Sequence, residues 1–251
     1  MKVRLNDGDV LGLSRVKVSD VEPRVIVAGD PQRAERIAQH LDNVREVGRN
    51  REYVTFSGEY RGSSVTVMSH GVGSAGAGAV FEELCRAGAE KIIRVGTAGG
   101  LQRDVVDGDL VVATAAVRGD GLSRSLVPLN YPAVAEPSLV IGLAAEASRG
   151  DHGIAVHQGI VLTSDNFYPS PVLENSQPMW REAGVLAVEM EIAALLTVAS
   201  LNGVAAAAIV AIDGNPLADE DEAMSDYQPF RSIVDDAVER MIEVALDVVT
   251  R

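Results

Sequence analysis

The sequence predicts an α/β fold in which a largely parallel or mixed sheet is covered by helices. Two observations carry this prediction. Runs of β-branched residues recur along the chain, and each is followed by a glycine-rich or polar turn and then by apolar residues at helical spacing. Several of these runs are apolar throughout, as expected for strands buried on both faces.

The elements follow in order. The run 24–30, RVIVAGD, reads as a strand leading into the helix PQRAERIAQHL, with Asp30 as N-cap and Pro31 as first helical residue. The run 64–71, SVTVMSHG, leads into the helix AGAVFEELCRAG. KIIRVGTAGG (91–100) and GDLVVATAAVR (108–118) read as strands, and GIAVHQGIVLTSD (153–165) as a strand pair or one long bent strand. EIAALLTVASLNG (191–203) is a helix with a glycine stop, and VAAAAIVAIDGN (204–215) is a buried strand ending in polar residues. An amphipathic helix at 232–250 closes the chain. The acidic stretch 215–229, NPLADEDEAMSDYQP, is the candidate for a mobile flap. No Pro/Ser-rich linker or internal repeat divides the chain, so residues 1–251 are expected to form one domain.

Composition narrows the function. The chain has 251 residues, 47% of them hydrophobic, enough for a real core. A net charge of −14 argues against nucleic acid or an anionic membrane as the main partner. Lys2, Lys17 and Lys91 are the only lysines, so nearly all positive charge is arginine, which grips phosphate and carboxylate in a planar fork. One cysteine, Cys85, excludes an internal disulfide and a cysteine metal cluster, and fits the cytoplasm. The N-terminus lacks the apolar run of a signal peptide, and no apolar stretch reaches the 18 or so residues of a membrane span.

In such sheets ligands sit beyond the carboxyl ends of the strands. One such end holds Gly29, followed by a helix N-terminus with Arg33 in its first turn, an anion site by geometry or else a plain capped helix. At the second, Arg94 interrupts an apolar strand. A buried guanidinium needs a carboxylate or a bound anion, and Gly96 and Thr97 follow it. At the third, Asp213 stands just past an Ala/Ile/Val strand. Burial raises a carboxyl pKa, which a general acid near neutral pH requires, although an Asp before Gly is also an ordinary turn residue. The stretch 187–196, AVEMEIAALL, places Glu189 and Glu191 at the mouth of an apolar helix, where an acid also complements the helix dipole. Gly71, Gly73 and Gly76 form a G-x-G-x-x-G, but the acid expected at the end of the next strand is missing, because Glu90 precedes that strand.

As an ordered set, GDPQRAERIA, HGVG, EEL, RVGTAGG, TSDNFYP, VEMEIAAL and AIDGN resemble the nucleoside phosphorylase family, which includes uridine phosphorylases and bacterial-type purine nucleoside phosphorylases. The resemblance covers the chain from about residue 20 to its end. It implies a three-layer α/β/α sandwich around a twisted mixed sheet. It also implies phosphorolysis of a nucleoside to free base and ribose 1-phosphate, with phosphate as co-substrate and no cofactor or metal. By motif, Gly29, Arg33, Arg94 and Thr97 resemble the phosphate cradle, with Arg51 of NREYVTF reaching across from a neighbouring subunit. Glu191, with Met190 and Glu189, resembles the ribose clamp. Ala98, Gly99, Phe167 and Val188 would line the base pocket. The implied assembly is a homo-oligomer with a dimer as minimal active unit, built into a hexamer.

The base is contested. Residues 114–136 resemble the uridine branch, yet Pro171 and Leu173 stand where its Gln and Arg uracil readers are expected. Asp213 matches the purine branch's acid, and Arg231 is the nearest candidate for its assisting arginine, about one helical turn from the expected place. The balance leans towards purine nucleosides. Val10, Leu11 and Leu13 occupy the segment where the family supplies a histidine to the 5′-hydroxyl, which leaves a methylthioadenosine phosphorylase open. A nucleosidase of the same fold would have no need of Arg33 and Arg94 together. A non-catalytic nucleoside-binding protein and a nucleotide-binding oxidoreductase are the readings from other classes.

Overall fold

The computed structural model describes residues 5–150, 152–168, 170–217 and 231–251. After a 3-10 turn (Val18–Asp20) come strand β1 (Arg24–Ala28) and helix α1 (Pro31–Ala38). As the sequence predicts, Asp30 caps α1, its carboxylate accepting from the Gln32 N–H at 2.9 Å with Pro31 in the first turn. A meander follows: β2 (Asp42–Asn50), β3 (Tyr53–Tyr60) and β4 (Ser63–Ser69). Helix α2 (Ser74–Ala87) stops at Gly88, whose left-handed backbone suits glycine. Next come β5 (Lys91–Gly100), β6 (Leu110–Gly119), α3 (Gly121–Leu126), the short β7 (Ala133–Val134), α4 (Pro137–Ala147) and β8 (Val156–Ser164). Then α5 (Gln177–Glu182), β9 (Ala187–Glu189), α6 (Ile192–Asn202), β10 (Ala205–Gly214) and α7 (Ser232–Val249) complete the elements among the described residues. The run 153–165 is thus one strand, and most of the expected flap at 215–229 lies outside the described residues.

The architecture is the α/β sandwich implied by the motifs, built on one mixed ten-stranded sheet. β4, β1, β5 and β10 run parallel. β6 lies antiparallel to β10 and parallel to β8. β9 pairs with both β8 and β5, so β5, β10, β6, β8 and β9 close into a ring. Helix α7 packs on β1, β5 and β10, while α6 packs on β6, β8 and β10 with α2 against it. Every residue of α6 from Ile192 to Ala199 is buried, so this helix is apolar all round and belongs to the core.

The ring decides where the site lies. The C-terminal ends of β1, β5 and β10 share one rim because these strands are parallel. β9 brings the N-terminus of α6 to that rim through the pairing of Val188 with Gly99.

Candidate active site

Arg94 lies in the middle of β5 and is 4% exposed. Its side chain folds back over Gly96, where a Cβ would stand 2.9 Å from the guanidinium carbon. One amino group, Nη2, donates to Glu191 and lies 3.5 Å from Glu189. Among the described residues, Nε and Nη1 have no hydrogen-bond partner. Burial opposes the charge on Arg94, but the two carboxylates outweigh it and its pKa moves up. The guanidinium therefore stays charged, with Nε and Nη1 available as donors to an anion.

Arg33, in the first turn of α1, enters the same neighbourhood. Its pKa is lowered, first by burial and then by the positive charge of Arg94, while Asp30 and Asp213 pull the other way. Two cations that destabilise each other are a standing demand for an anion. Gly29 keeps the backbone close here. A Cβ would approach the Gly71 carbonyl at 3.4 Å and the His70 ring at 3.6 Å.

The two acids of the α6 mouth divide the readings between them. Glu189 is a structural cap. It accepts from the Glu191 N–H at 2.7 Å, from the Ile192 N–H at 2.9 and 3.0 Å, and from the Thr163 hydroxyl at 2.5 Å. Thr163 Oγ1 in turn accepts from the Ala193 N–H. These bonds satisfy the N–H groups of Glu191, Ile192 and Ala193 at the start of the helix. Glu191 faces the rim instead. Its Oε1 accepts from the Gly73 N–H at 2.6 Å and its Oε2 from Arg94. Burial pushes the Glu191 carboxyl up, but Arg94 and its donors more than reverse this, so it stays ionised.

Asp213 is buried at the C-terminal end of β10, at a register break between Ile212 and Gly214 where the ladder to β5 is interrupted. A bulge re-aims a side chain, and sheet ends next to active sites use this device. Asp213 lies within the field of Arg33. Thr97, Ala98 and Gly99 follow on β5, with Val188 3.5 Å from a Cβ position on Gly99.

This constellation has known relatives. Residues 23–250 match the profile described as the phosphorylase superfamily. The chain belongs to the phosphorylase superfamily. It is 36% identical over 235 residues to a guanosine phosphorylase of Halorubrum lacusprofundi, covering 94% of this chain and 96% of that one. It is 39% identical over 209 residues to a uridine phosphorylase of Treponema pallidum, covering 80% of each. Its structure superposes on a purine nucleoside phosphorylase of Toxoplasma gondii with a TM-score of 0.90 at 34% identity, covering 96% and 95% of the two chains. The protein is a nucleoside-phosphorolysing pentosyltransferase of this family, with purine-named and uridine-named relatives alike.

The other expected site residues of this phosphorylase are placed more loosely. Met190 and Val188 are half-buried, and the Met190 carbonyl accepts from the Ser74 hydroxyl at 2.7 Å, tying the sugar-side loop to α2. Phe167 lies on the loop after β8, 48% exposed and edge-on to Tyr168 at 5.1 Å. Arg51 stands exposed on the two-residue turn between β2 and β3 with φ of 54°. Arg231 pairs with Asp107 at the start of α7.

His70 is a residue that sequence reasoning passed over as part of HGVG. Its ring is fully buried, edge-on to Phe81 at 5.2 Å, with Nδ1 2.8 Å from the Gly71 carbonyl. That contact places the ring hydrogen on Nδ1. Burial, then the charge of Arg94, lowers its pKa to about 4, so it is neutral beside the two arginines. Its position between a strand end and a glycine turn was the available signal.

Proposed function

We propose that this phosphorylase cleaves purine nucleosides, and that Asp213 donates a proton to the leaving base. The observation that carries this reading is Asp213 itself, a buried carboxyl on the bulge of β10 within the field of Arg33. A purine can accept that proton at N7, which uracil lacks. Pro171 and Leu173, in the places of the expected uracil readers, are exposed and apolar. The guanosine phosphorylase among the relatives supports the same preference.

In this reading phosphate lies against Nε and Nη1 of Arg94, Arg33, the Gly29 backbone and Thr97. Glu191 accepts hydrogen bonds from the ribose 2′ and 3′ hydroxyls, Met190 covers the sugar, and Glu189 holds Glu191 in place through the α6 backbone. A phosphate oxygen attacks C1′ as the C1′–N9 bond breaks. The electron pair of that bond passes into the base, whose N7 takes the Asp213 proton. The developing oxocarbenium is stabilised by the fixed carboxylate of Glu191. Ala98, Gly99, Phe167 and Val188 line the base.

Arg51 completes the phosphate site of a partner subunit, so the active unit is at least a dimer, assembled as a hexamer in the cytoplasm, with residues 1–251 acting as one domain. Arg231 assists Asp213 after leaving Asp107. Inosine, adenosine, guanosine, uridine and methylthioadenosine, each with and without phosphate, test the reading through release of free base. Phosphate-dependent cleavage of a purine nucleoside is expected. Brisk uridine cleavage with purine nucleosides untouched would overturn the role of Asp213, and turnover independent of phosphate would make the enzyme a nucleosidase.

A further inference from the structure

The residue before Asp213 is held from the side opposite to β5. Ile212 uses both of its backbone groups there. Its N–H donates to the Asp109 carbonyl at 2.9 Å, and its carbonyl accepts from the Gly108 N–H at 2.9 Å. The turn that supplies these groups, residues 106–109, is held from within by the Asp109 side chain, besides the ion pair of Asp107 with Arg231. Asp109 is 7% exposed. Its Oδ2 accepts from the Val106 N–H at 3.0 Å and from His157 Nε2 at 2.9 Å, while the Asp109 N–H closes the turn on the Val106 carbonyl at 3.0 Å. His157 comes from β8, two strands away from β10. Gly108 has φ of +87°, and a Cβ there would stand 2.6 Å from Ile233 Cγ1, so the turn also packs against the first turn of α7.

We propose that the His157–Asp109 pair is a positioning device for Asp213. The regular β6–β10 ladder ends at Leu110 and Ala211, so nothing in the sheet itself fixes Ile212 from that side. The turn takes over where the ladder stops, at the step before the bulge. His157 donates its Nε2 hydrogen to Asp109, Asp109 sets the turn, and the turn sets the backbone that aims the Asp213 carboxyl. Neither residue touches the nucleoside. The proposal rests on the assignment of Asp213 as the acid that protonates the leaving base.

The effect should appear only where that proton matters. With inosine, His157→Phe and Asp109→Asn should lower kcat by between about 10-fold and 100-fold, the scale of a misplaced catalytic group, with the phosphate KM unchanged. With 7-methylguanosine, whose N7 is already alkylated and cationic, both variants should match the wild type. His157→Gln, which keeps an N–H donor, should restore most of the inosine rate. Adding His157→Phe to Asp213→Asn should cost nothing further, because there is no acid left to aim. Equal losses on both substrates, additive losses in the double variant, unchanged inosine rates, or loss of the fold in both single variants would each overturn the proposal. An inosine rate indifferent to Asp213→Asn itself would overturn the underlying acid assignment, and the positioning role with it.

Discussion

Arg94 and Gly96 occupy the same space on one face of β5: the guanidinium lies where a side chain at 96 would stand. Residues two apart on a strand point to the same face, so Arg94 can fold back only over a glycine. Gly96→Ala should displace the guanidinium and misalign its two free donors. A charge-assisted hydrogen bond is worth about 1.5–3 kcal/mol, so the phosphate KM should rise about 10-fold to 100-fold. Arg94→Ala should do at least as much. Initial rates against phosphate concentration check both, and an unchanged phosphate KM in either variant would remove Arg94 from the phosphate site.

Glu189 and Glu191 should separate cleanly. Glu189→Gln puts an amide among backbone donors of α6 and should cost about 1–3 kcal/mol of stability, a fall in Tm of about 2–10 °C for a chain of this size. Its nucleoside KM should move less than that of Glu191→Gln. Glu191→Gln should lower kcat/KM for the nucleoside by about 100-fold or more, since it weakens a contact expected to strengthen in the transition state. Thermal melts and kinetics on the two variants would expose the assignment as inverted if Glu189→Gln proved the catalytic lesion.

Asp213→Asn should cut purine turnover by about 10²–10⁴-fold, the usual range for a general acid, and leave phosphate binding nearly intact. The same variant should cleave 7-methylguanosine at close to the wild-type rate. A parallel loss on both substrates would point to a structural role for the carboxyl.

His70 makes stability pH-dependent. Its pKa falls from 6.5 in the unfolded chain to about 4 in the fold. Between those values the unfolded chain binds a proton that the native chain refuses, so stability declines as pH drops through this window and levels off below it. The gap corresponds to about 3 kcal/mol. Denaturant midpoints measured at pH 7.5 and 5.0 should fall less in His70→Gln than in the wild type. Parallel curves would show that His70 titrates normally in the fold.

Arg51 predicts complementation between subunits. Arg51→Ala and Glu191→Gln should each be nearly inactive alone. Refolded together, mixed dimers contain one site with both residues intact, so about half of the mixed dimers' sites recover when arginine is donated in trans. No recovery on mixing would place Arg51 in its own chain's site or outside the mechanism.

Much of the site was legible because its residues break local rules. Arg94 inside an apolar strand, Asp213 after an Ala/Ile run and two acids before an apolar helix are costly unless something compensates them, and that cost is visible in one dimension. The capped start of α1 and the glycine stops of α2 and α6 were equally readable, since each depends on neighbouring residues alone. The β2–β3 hairpin was not, because β2 is largely exposed and polar and lacks an apolar alternation. The helix α4 and the three-residue β9 also carried too little periodic signal to stand out.

What only the tertiary structure decided is the division of labour. From the sequence, Glu189 and Glu191 are two similar acids two residues apart. In the fold one turns back to the α6 backbone and the other to Arg94, because the strand-to-helix switch at residue 191 sends them in different directions. The turn behind Asp213 likewise depends on chain segments distant in sequence, 157 against 109 and 109 against 212. The sequence determined the fold class and the residues whose burial needed explaining. Long-range packing determined which partner satisfied each of them, since a hydrogen bond's energy depends on geometry that no local pattern encodes.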